Sequence, residues 1–422
     1  MNDAVPSVVA IDIGTHKVSV LIAKVHAPDH IEVVGMASAR NQGMKKGKIT
    51  SLDKMIASIK QAVSDVEDTT ECRINSAWVS IPSADLKSFY AQGQAYITNN
   101  ERIVTTSEVV SVLEAAKKNK VEQEPELYLT SAVPLGFQLD DAEQWITHPV
   151  GLGASKISGH YQLMMLPINE MQNFDRAMKS ANIRVEKTIL CALATAEASL
   201  LQDEKDYGVC LVDIGAGTTN VAVYLEGHLV FAKTYAAGGD SVTHDIAAVL
   251  QTTTEEAERI KLFYGSVDLQ AVKPDHMIQV KGIEGPQTIS RIELSEIIIA
   301  RYEEILHTVK YDLIESGAMS GLYHGVVLTG AASQIEGVVS FSRRLFGVSA
   351  HLGNLPTSVT ATDDLLPALK RPQYATAIGL LLYSQKEPSD AIDIQPNVDE
   401  KTFVGRLKNG WDRFQAQLKS IF

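Results

Sequence analysis

The sequence has few cysteines, no long apolar run and no excess of basic residues, and each absence excludes a class of protein. Its three cysteines are scattered, which predicts buried thiols in a reducing cytosol and neither a disulfide framework nor a metal site. No apolar stretch approaches the ~20 residues that cross a bilayer, and the first one lacks the basic flank of a signal peptide. The net charge of −13 disfavours broad nucleic-acid binding.

The composition that remains is that of a globular protein, with 45% hydrophobic and 21% charged residues over 422 positions. This length exceeds one ordinary hydrophobic core, so we expect about two to four domains. Strand and helix patterns alternate along most of the chain. The sequence therefore predicts a multidomain α/β protein.

One phrase occurs twice: residues 8–22 read VVAIDIGTHKVSVLI, and residues 210–224 read CLVDIGAGTTNVAVY. In each copy an apolar run delivers one aspartate, Asp12 or Asp213, before a glycine-bearing turn and a second apolar alternation. This pattern predicts two strand–turn–strand hairpins whose glycines let backbone N–H groups approach a ligand. Two facing hairpins of this kind can hold a polyphosphate from both sides, with one carboxylate from each near its metal.

Three further segments complete an ordered series. Residues 191–201 and 373–383 predict two helices rich in small residues, and residues 326–332 predict a buried strand that enters a glycine turn. This order resembles the actin-like ATPases. Within that superfamily, the GMKKG loop at 43–47 and the run PVGL at 149–152 resemble the FtsA family of bacterial cell-division proteins. The resemblance implies an α/β fold of two RNase H-like halves around a nucleotide cleft, with an inserted α+β subdomain and a C-terminal amphipathic helix.

The predicted domain boundaries follow changes in composition and in the pattern of predicted helices and strands. Residues 1–83 and 167–205 form the first half, and residues 206–383 form the second, with a smaller subdomain at about 240–320. Residues 84–166 form the inserted α+β segment, which serves either as a contact module or as a structural elaboration. Residues 384–401 form an acidic linker, and residues 402–422 form the terminal helix.

The resemblance implies ATP and Mg²⁺ as cofactors. Asp12 and Asp213 would hold Mg²⁺, mostly through water, because this hard cation prefers oxygen ligands. Glu258 and Lys261 would reach the ribose and base, although an ordinary i,i+3 ion pair is the alternative. The other implied nucleotide contacts are Gly14, Thr15 and His16 in the first loop, Gly215, Ala216, Gly217, Thr218 and Thr219 in the second, Gly239 at a helix start, and Gly330 and Ala331 under the adenine.

Two departures from the family pattern bear on activity. Actin-like proteins that hydrolyse ATP briskly carry Gln or Glu at the start of the first connecting helix, where it orients the attacking water. Here residues 189–192 read ILCA, so we predict at most a weak ATPase. Ala331 stands where the family often has glycine, and its methyl group narrows the space against the base.

The last twenty-odd residues predict an amphipathic helix. Apolar side chains recur at steps of three and four, and basic side chains flank them. Such a helix is typical of segments that lie on anionic lipid, although docking on the protein's own core or on a partner is the alternative. The predicted membrane-binding residues are Phe403, Leu407, Trp411, Phe414, Leu418 and Phe422, with Arg406, Lys408, Arg413 and Lys419.

These patterns and the resemblance predict an ATP-binding actin-like cell-division protein. It would polymerise on the cytoplasmic face of the bacterial inner membrane, at the division site, and anchor the FtsZ ring there. The resemblance places the C-terminal peptide of FtsZ at Arg291, Arg301 and Glu304, where a solvated surface is the alternative. It places other division proteins on the inserted segment, and no nucleic acid is expected.

Two rival functions share the scaffold. A sugar or acid kinase needs a catalytic base beside a substrate pocket, and no acid in the sequence has a convincing setting for that role. A chaperone-type ATPase needs a large substrate domain after the last connecting helix, where only residues 384–422 remain.

Overall fold

The computed structural model describes residues 7–27, 30–81 and 84–386, and the fold is given for those residues. The first part of the chain forms a mixed sheet around two antiparallel hairpins, because β1 and β2 are buried on both faces and alternate around a tight turn. Its elements are β1 (Ser7–Ile13), β2 (Lys17–Ala27), β3 (His30–Arg40), β4 (Met44–Lys45), β5 (Lys48–Ile49), α1 (Leu52–Thr70) and β6 (Ser76–Ile81).

Two expectations need correction here. The GMKKG segment at 43–47, predicted as a loop, contains β4 and the turn of the short hairpin β4–β5, in which Met44 pairs with Ile49. Cys72 is exposed, so the prediction of a buried thiol is wrong for this residue. It lies in the connection between α1 and β6, where Glu71 turns the chain at a φ of 55° and no core covers the side chain. Cys191 and Cys210 are buried as expected.

The inserted segment folds around a sheet and core of its own. It contains β7 (Lys87–Tyr96), α2 (Thr106–Gln123), β8 (Leu127–Leu139) and β9 (Lys156–Pro167), with the strand order β7-β9-β8. Thr105 begins α2 with a capping box that includes Glu108. The helix packs closely on the sheet at Gly93, because a side chain there would collide with the α2 backbone at Val112.

The chain then returns to the first sheet and crosses to the second half. After α3 (Ile168–Ser180), β10 (Arg184–Leu190) forms one edge of the first sheet. The helices α4 (Cys191–Ser199) and α5 (Gln202–Tyr207) follow. The first sheet has the order β10-β6-β1-β2-β3-β18, in which the last strand comes from the far end of the chain.

The second half repeats the antiparallel hairpin motif. Its sheet has the order β13-β12-β11-β16-β17, and its helices pack on a separate hydrophobic core. The elements are β11 (Val209–Ile214), β12 (Thr219–Leu225), β13 (His228–Tyr235), α6 (Gly239–Val249), α7 (Thr254–Tyr264), β14 (Met277–Gly282), β15 (Gly285–Ser290), α8 (Arg291–Glu315), β16 (Val326–Thr329), α9 (Val338–Phe346), β17 (Ala350–Leu352), β18 (Val359–Ala361), α10 (Leu366–Leu369) and α11 (Ala375–Tyr383).

The two helices rich in small residues, α4 and α11, pack against each other between the halves. Gly379 of α11 lies so close to Ala194 of α4 that an added side chain would overlap the Ala194 carbonyl. Thr195 and Thr376 join the helices further through a 2.9 Å hydrogen bond between their hydroxyl groups. Close packing of small residues therefore connects the two halves.

Candidate functional site

The repeated sequence phrase forms two loops with the same backbone hydrogen bond. In the first loop, between β1 and β2, the N–H of Gly14 donates to the carbonyl of Lys17 over 2.9 Å. In the second, between β11 and β12, the N–H of Gly215 donates to the carbonyl of Thr218, also over 2.9 Å. The sequence repeat is therefore a structural repeat, as predicted.

The two loops meet at one glycine. A Cβ atom on Gly217 of the second loop would lie 2.5 Å from Cγ2 and 2.6 Å from Oγ1 of Thr15 in the first loop. Such distances are far below ordinary van der Waals contact, so only glycine allows this approach. The two loops therefore lie against each other at Gly217 and Thr15.

Asp12 lies at the end of β1, opposite Ser19 on β2. Its carboxylate accepts a 2.7 Å hydrogen bond from the hydroxyl of Ser80, which in turn accepts the N–H of Ile13 over 3.0 Å. Burial raises the pKa of Asp12, and the Ser80 hydrogen bond offsets this rise only in part. A buried carboxylate of this kind gains stability from a nearby cation.

Asp213 occupies the matching position on β11. Its carboxylate accepts hydrogen bonds from Asn220 over 3.1 Å and from Thr195 over 3.5 Å. Burial, with the charge of Asp12 as a further cause, raises the pKa of Asp213 to about 6. Two buried carboxylates that raise each other's free energy form a setting suited to a divalent cation with oxygen ligands.

Gly330 brings the third motif to the same place. Its φ of 88° is in the left-handed region, and an added side chain would collide with the carboxylate of Asp213 and the backbone of Ile214. Ala331 follows at the start of a short 3₁₀ turn. The predicted adenine turn therefore lies beside the second loop.

Lys17 is a site residue that the sequence analysis did not name. Its Nζ atom is buried and makes no hydrogen bond of ordinary geometry within residues 7–27, 30–81 and 84–386, although the Tyr374 hydroxyl interacts with it. It lies 3.5 Å from the centroid of the Tyr374 ring, a cation–π contact. Burial lowers the pKa of Lys17, against the influence of Tyr374 and Asp12. A buried ammonium group in this setting gains stability from an anion. Lys17 could have been singled out from the sequence, because it is the one lysine or arginine in the first copy of the repeated motif.

The start of α6 is docked on the second loop. The N–H groups of Gly239 and Asp240 donate to the carbonyls of Gly215 and Ala216 over 3.0 and 2.8 Å, respectively. The Gly239 amide, predicted as a phosphate donor, therefore has a protein acceptor in this structure. The contact fixes the N-terminal end of α6, where the helix dipole is positive, against the loop.

Glu258 and Lys261 of α7 reach the same helix start. Their side chains form an ion pair of 2.6 Å, and both also bond to Thr243. Lys261 Nζ donates further to the carbonyl of Gly239 over 3.1 Å. The structure thus brings the predicted ribose contacts to the second loop, and it also contains the i,i+3 ion pair that was their alternative.

His16 crosses from the first loop to the second half. Its Nδ1 atom lies 3.4 Å from Oδ1 of Asp240. The hydrogen bond to Asp240, opposed by partial burial and aided by the charges of Asp240 and Glu258, raises the pKa of His16. Burial alone would raise the pKa of Asp240, but His16 and Lys261 hold it below its ordinary value. This pair connects the two halves on the side of α6.

Cys191 occupies the start of α4, where brisk actin-like hydrolases carry Gln or Glu. Burial and the nearby charges of Asp12 and Asp213 raise its pKa well above the ordinary value, although its hydrogen bond with Ser80 acts in the opposite direction. The thiol therefore remains protonated near neutral pH and lacks the carboxylate or amide oxygen that orients a water.

The predicted partner residues lie on α8, apart from the loops. Arg301 forms an ion pair with Asp245 at 2.5 and 2.8 Å and with Glu304 at 2.6 Å. Arg291 pairs with Glu336. The cations are thus already neutralised by neighbouring acids within the second half.

The predicted membrane-binding residues, 403–422, and the linker beyond residue 386 lie outside the described residues. Among the helices of the described ranges, none combines the length and the apolar character that crossing a membrane requires.

Comparison with known proteins decides the family. The family model described as cell division protein FtsA matches residues 210–379. The cell division protein FtsA of Pseudomonas aeruginosa is 32% identical over 389 residues, covering 92% of this chain and 91% of that protein. The chain belongs to the FtsA family of cell division proteins. Further FtsA relatives are those of Neisseria meningitidis, 31% identical with 88% of each chain covered, and Escherichia coli K12, 30% identical with 90% of each covered.

Solved structures confirm the predicted actin-like α/β fold for this FtsA-family chain. The PilM–PilN type IV pilus biogenesis complex matches with a TM-score of 0.66 at 15% identity, covering 90% of this chain and 99% of that one. MreB5 of Spiroplasma citri bound to ADP matches with a TM-score of 0.55 at 12% identity, covering 90% and 96%. Identities this low show the fold alone.

Proposed function

We propose that this FtsA-family chain binds Mg-ATP between its two glycine loops. The observation that carries the proposal is the pair of facing loops, each with one buried aspartate, which meet where Gly217 lies against the side chain of Thr15. The buried ammonium group of Lys17, which makes no hydrogen bond of ordinary geometry in the described chain, supports an anion at the same place. MreB5 of Spiroplasma citri, which shares the fold, has been solved with ADP and with AMPPNP.

Each group of site residues contacts the part of Mg-ATP that suits its chemistry. Asp12 and Asp213 supply oxygen ligands to Mg²⁺, which neutralises charge on the phosphates. The amides of Gly14 and Gly215 already donate within their turns, so other amides of the two loops and the Thr15 hydroxyl donate to phosphate oxygens, and Lys17 compensates the phosphate charge. On the other side of the second loop, Glu258 and Lys261 line the ribose and base, with Gly330 and Ala331 beneath the adenine.

We also propose that ATP hydrolysis is weak or absent in the isolated chain. A neutral buried thiol at Cys191 does not activate or orient water, and it lies where a carboxylate or amide would have to act. Turnover measured on the purified full chain should stay below about 1 s⁻¹, the lower end of ordinary enzyme rates. Faster turnover would refute this part of the proposal.

Binding of ATP is proposed to favour an assembled state rather than a reaction product. In this proposal the chain forms filaments on the cytoplasmic face of the inner membrane, at the division site. The tail, residues 402–422, holds the filament on anionic lipid, and the second half holds the C-terminal peptide of FtsZ. The inserted segment contacts other division proteins, and the domain boundaries given above remain part of this proposal.

Electron microscopy of the full chain on anionic lipid monolayers, with and without Mg-ATP, tests binding and assembly together. We expect filaments on the lipid with ATP and few without it. Asp213→Asn, which removes one cation ligand, should abolish the ATP-dependent difference. Asp203→Asn removes the same charge from an exposed position and should leave it intact. Equal assembly in all arms would refute nucleotide-dependent assembly.

The tail is tested separately by liposome co-sedimentation. Replacing Trp411 and Phe414 with Glu introduces two charges into the apolar stripe and should abolish binding. Replacing Gln415 and Gln417 with Glu adds the same charge outside that stripe and should preserve most of it. Equal loss in both variants would indicate charge repulsion alone and refute the apolar anchor.

The FtsZ contact requires a control for the ion pair at Arg301. Arg301→Glu is expected to weaken binding of the FtsZ C-terminal peptide, but it also breaks the contact with Asp245. Asp245→Asn weakens the same ion pair while the Arg301 cation remains. Peptide affinity that falls in both variants equally would remove Arg301 from the binding site.

A further inference from the structure

The 43–50 hairpin, which contains β4 and β5, stands where three parts of the molecule meet. The N–H of Gly47 donates to Oγ1 of Thr15 in the first loop over 3.2 Å. A Cβ atom on Gly47 would lie 2.6 Å from the methyl group of Thr218 in the second loop. It would also lie 3.3 Å from the backbone N of Ala84, where the inserted segment begins. One glycine, at a φ of 72°, therefore contacts both loops and the outgoing connection.

The next residue, Lys48, links the hairpin to the two connections between the inserted segment and the first half, at Asp85 directly and at Glu170 through Asp85. Lys48 Nζ lies 2.6 and 2.8 Å from the two carboxylate oxygens of Asp85, on the outgoing connection. The Asp85 carboxyl group also interacts with Glu170, in the first turn of α3 on the returning connection. The hydrogen bond from Lys48 is the main cause of the lowered pKa of Asp85. Lys48 thus bonds to the acid of the outgoing connection, and that acid interacts in turn with the acid of the returning connection.

Asn41, just before the hairpin, also holds this part of the chain against the first loop. The side-chain amide of Asn41 donates to the carbonyl of Gly14 over 2.8 Å, and the N–H of Asn41 donates to the carbonyl of His16 over 2.8 Å. A shift of the first loop therefore moves the beginning of the hairpin as well.

A small cavity lies beneath the hairpin. It is lined mainly by apolar side chains, among them Met44, Ile49, Met55, Met171 and Phe174, and also by Glu170. Methionine side chains are flexible and adapt to changed surroundings at low cost. These side chains can accommodate a small displacement of the hairpin.

We propose that the 43–50 hairpin couples the nucleotide state of the two loops to the orientation of the inserted segment. The Thr15 hydroxyl can accept the N–H of Gly47 while it donates to a phosphate oxygen, so both contacts persist together. A phosphate that repositions Thr15 then repositions Gly47, and the ion pair of Lys48 with Asp85 carries this shift to the two connections. The inference rests on the proposed nucleotide binding and adds the element that transmits it.

Hydrogen exchange of the full chain, followed by mass spectrometry with and without Mg-ATP, provides the test. In the wild-type chain, ATP should slow exchange at residues 41–50 and at both connections, residues 84–87 and 166–170. In Lys48→Met the effect at 41–50 should remain and the effect at the connections should be lost. Lys45→Met removes the same charge from an exposed position of the same hairpin and should behave as the wild type.

Two further experiments test the same coupling: the ATP affinity of the variants and a charge swap between Lys48 and Asp85. Because coupling is reciprocal, Lys48→Met should change ATP affinity by about fivefold or more, whereas Lys45→Met should not. The double variant Lys48→Asp with Asp85→Lys restores opposite charges and should restore protection at the connections. Asp85→Asn should reproduce the loss from the other side of the ion pair, should Lys48→Met prove poorly folded.

The outcomes separate the inference from the proposed function. If the wild-type chain binds no ATP, both fail. If it binds ATP but Lys48→Met shows the wild-type response at the connections, the coupling is refuted while nucleotide binding stands.

Discussion

Replacing Gly217 with alanine adds one methyl group at the point where the two loops meet. That carbon would lie 2.5 Å from Thr15 Cγ2, against ordinary carbon–carbon contacts of about 3.5–4.0 Å. The loops must therefore separate by about 1 Å. Gly217 does not have a left-handed φ, so alanine brings no backbone strain of its own. The perturbation is thus confined to the distance between the halves.

The expected magnitude follows from overpacking. Extra methyl groups in close-packed sites cost about 1–3 kcal/mol. The free chain can relieve this cost by opening, whereas the chain closed on a ligand cannot. The cost therefore falls mainly on the bound state, and the dissociation constant for Mg-ATP should rise about 5- to 150-fold.

Isothermal titration of the full chain with Mg-ATP measures this change. Gly153→Ala is the matched control, because its added carbon would lie 3.8 Å from the nearest atom, the carbonyl of Arg102. The control should bind as the wild type does, and both variants should keep the wild-type thermal midpoint closely. An affinity of the Gly217 variant within about twofold of the wild type would refute closure of these loops on the nucleotide.

Two further predictions concern stability. The raised pKa of His16, paired with the ionised Asp240, means that its contribution is complete below its ordinary pKa of 6.5 and is lost as the pH rises through the higher folded value. The free energy of unfolding of the nucleotide-free chain should therefore fall over that pH range. Denaturant titrations of His16→Gln should lack this decrease, and the same dependence of unfolding free energy on pH in both chains would show that His16 is not its cause. In α11, Gly379→Ala should lower the free energy of unfolding by about 1–3 kcal/mol, because overlap with Ala194 outweighs the better helix propensity of alanine. A raised thermal midpoint would contradict the close packing of α4 on α11.

The local patterns predicted most elements because they depend on short-range chemistry. The repeated aspartate–glycine motif specified both hairpins. The apolar pattern of residues 127–139 likewise predicts a strand, and the structure gives β8 over the same residues, Leu127–Leu139. The ends of helices were less certain. The pattern of residues 334–346 predicts one helix. In the structure α9 is Val338–Phe346, because Gly337 at a φ of 86° interrupts the segment.

The remaining features depend on contacts between distant residues. Lys17 became a site residue only when Tyr374 was brought over it. The role of Gly47 was invisible in the sequence, since Thr15, Thr218 and Ala84 approach it from three separate segments. Similarly, the partners of Arg301 follow from the packing of α6 on α8, which periodicity alone does not specify.

The pairing of β18 with β3 has a consequence for the order of events on the ribosome. Thr360 bonds to the carbonyl of Ile31 across 329 residues of chain, so the edge of the first sheet stays open until almost the whole protein has been made. At about 5–20 residues per second, synthesis of that stretch takes roughly 15–65 s. Throughout that interval β3 presents unpaired backbone groups to neighbouring nascent chains. Completion of the first half is thereby tied to the emergence of its last strand, and a chain truncated before β18 retains an exposed edge that the full chain covers.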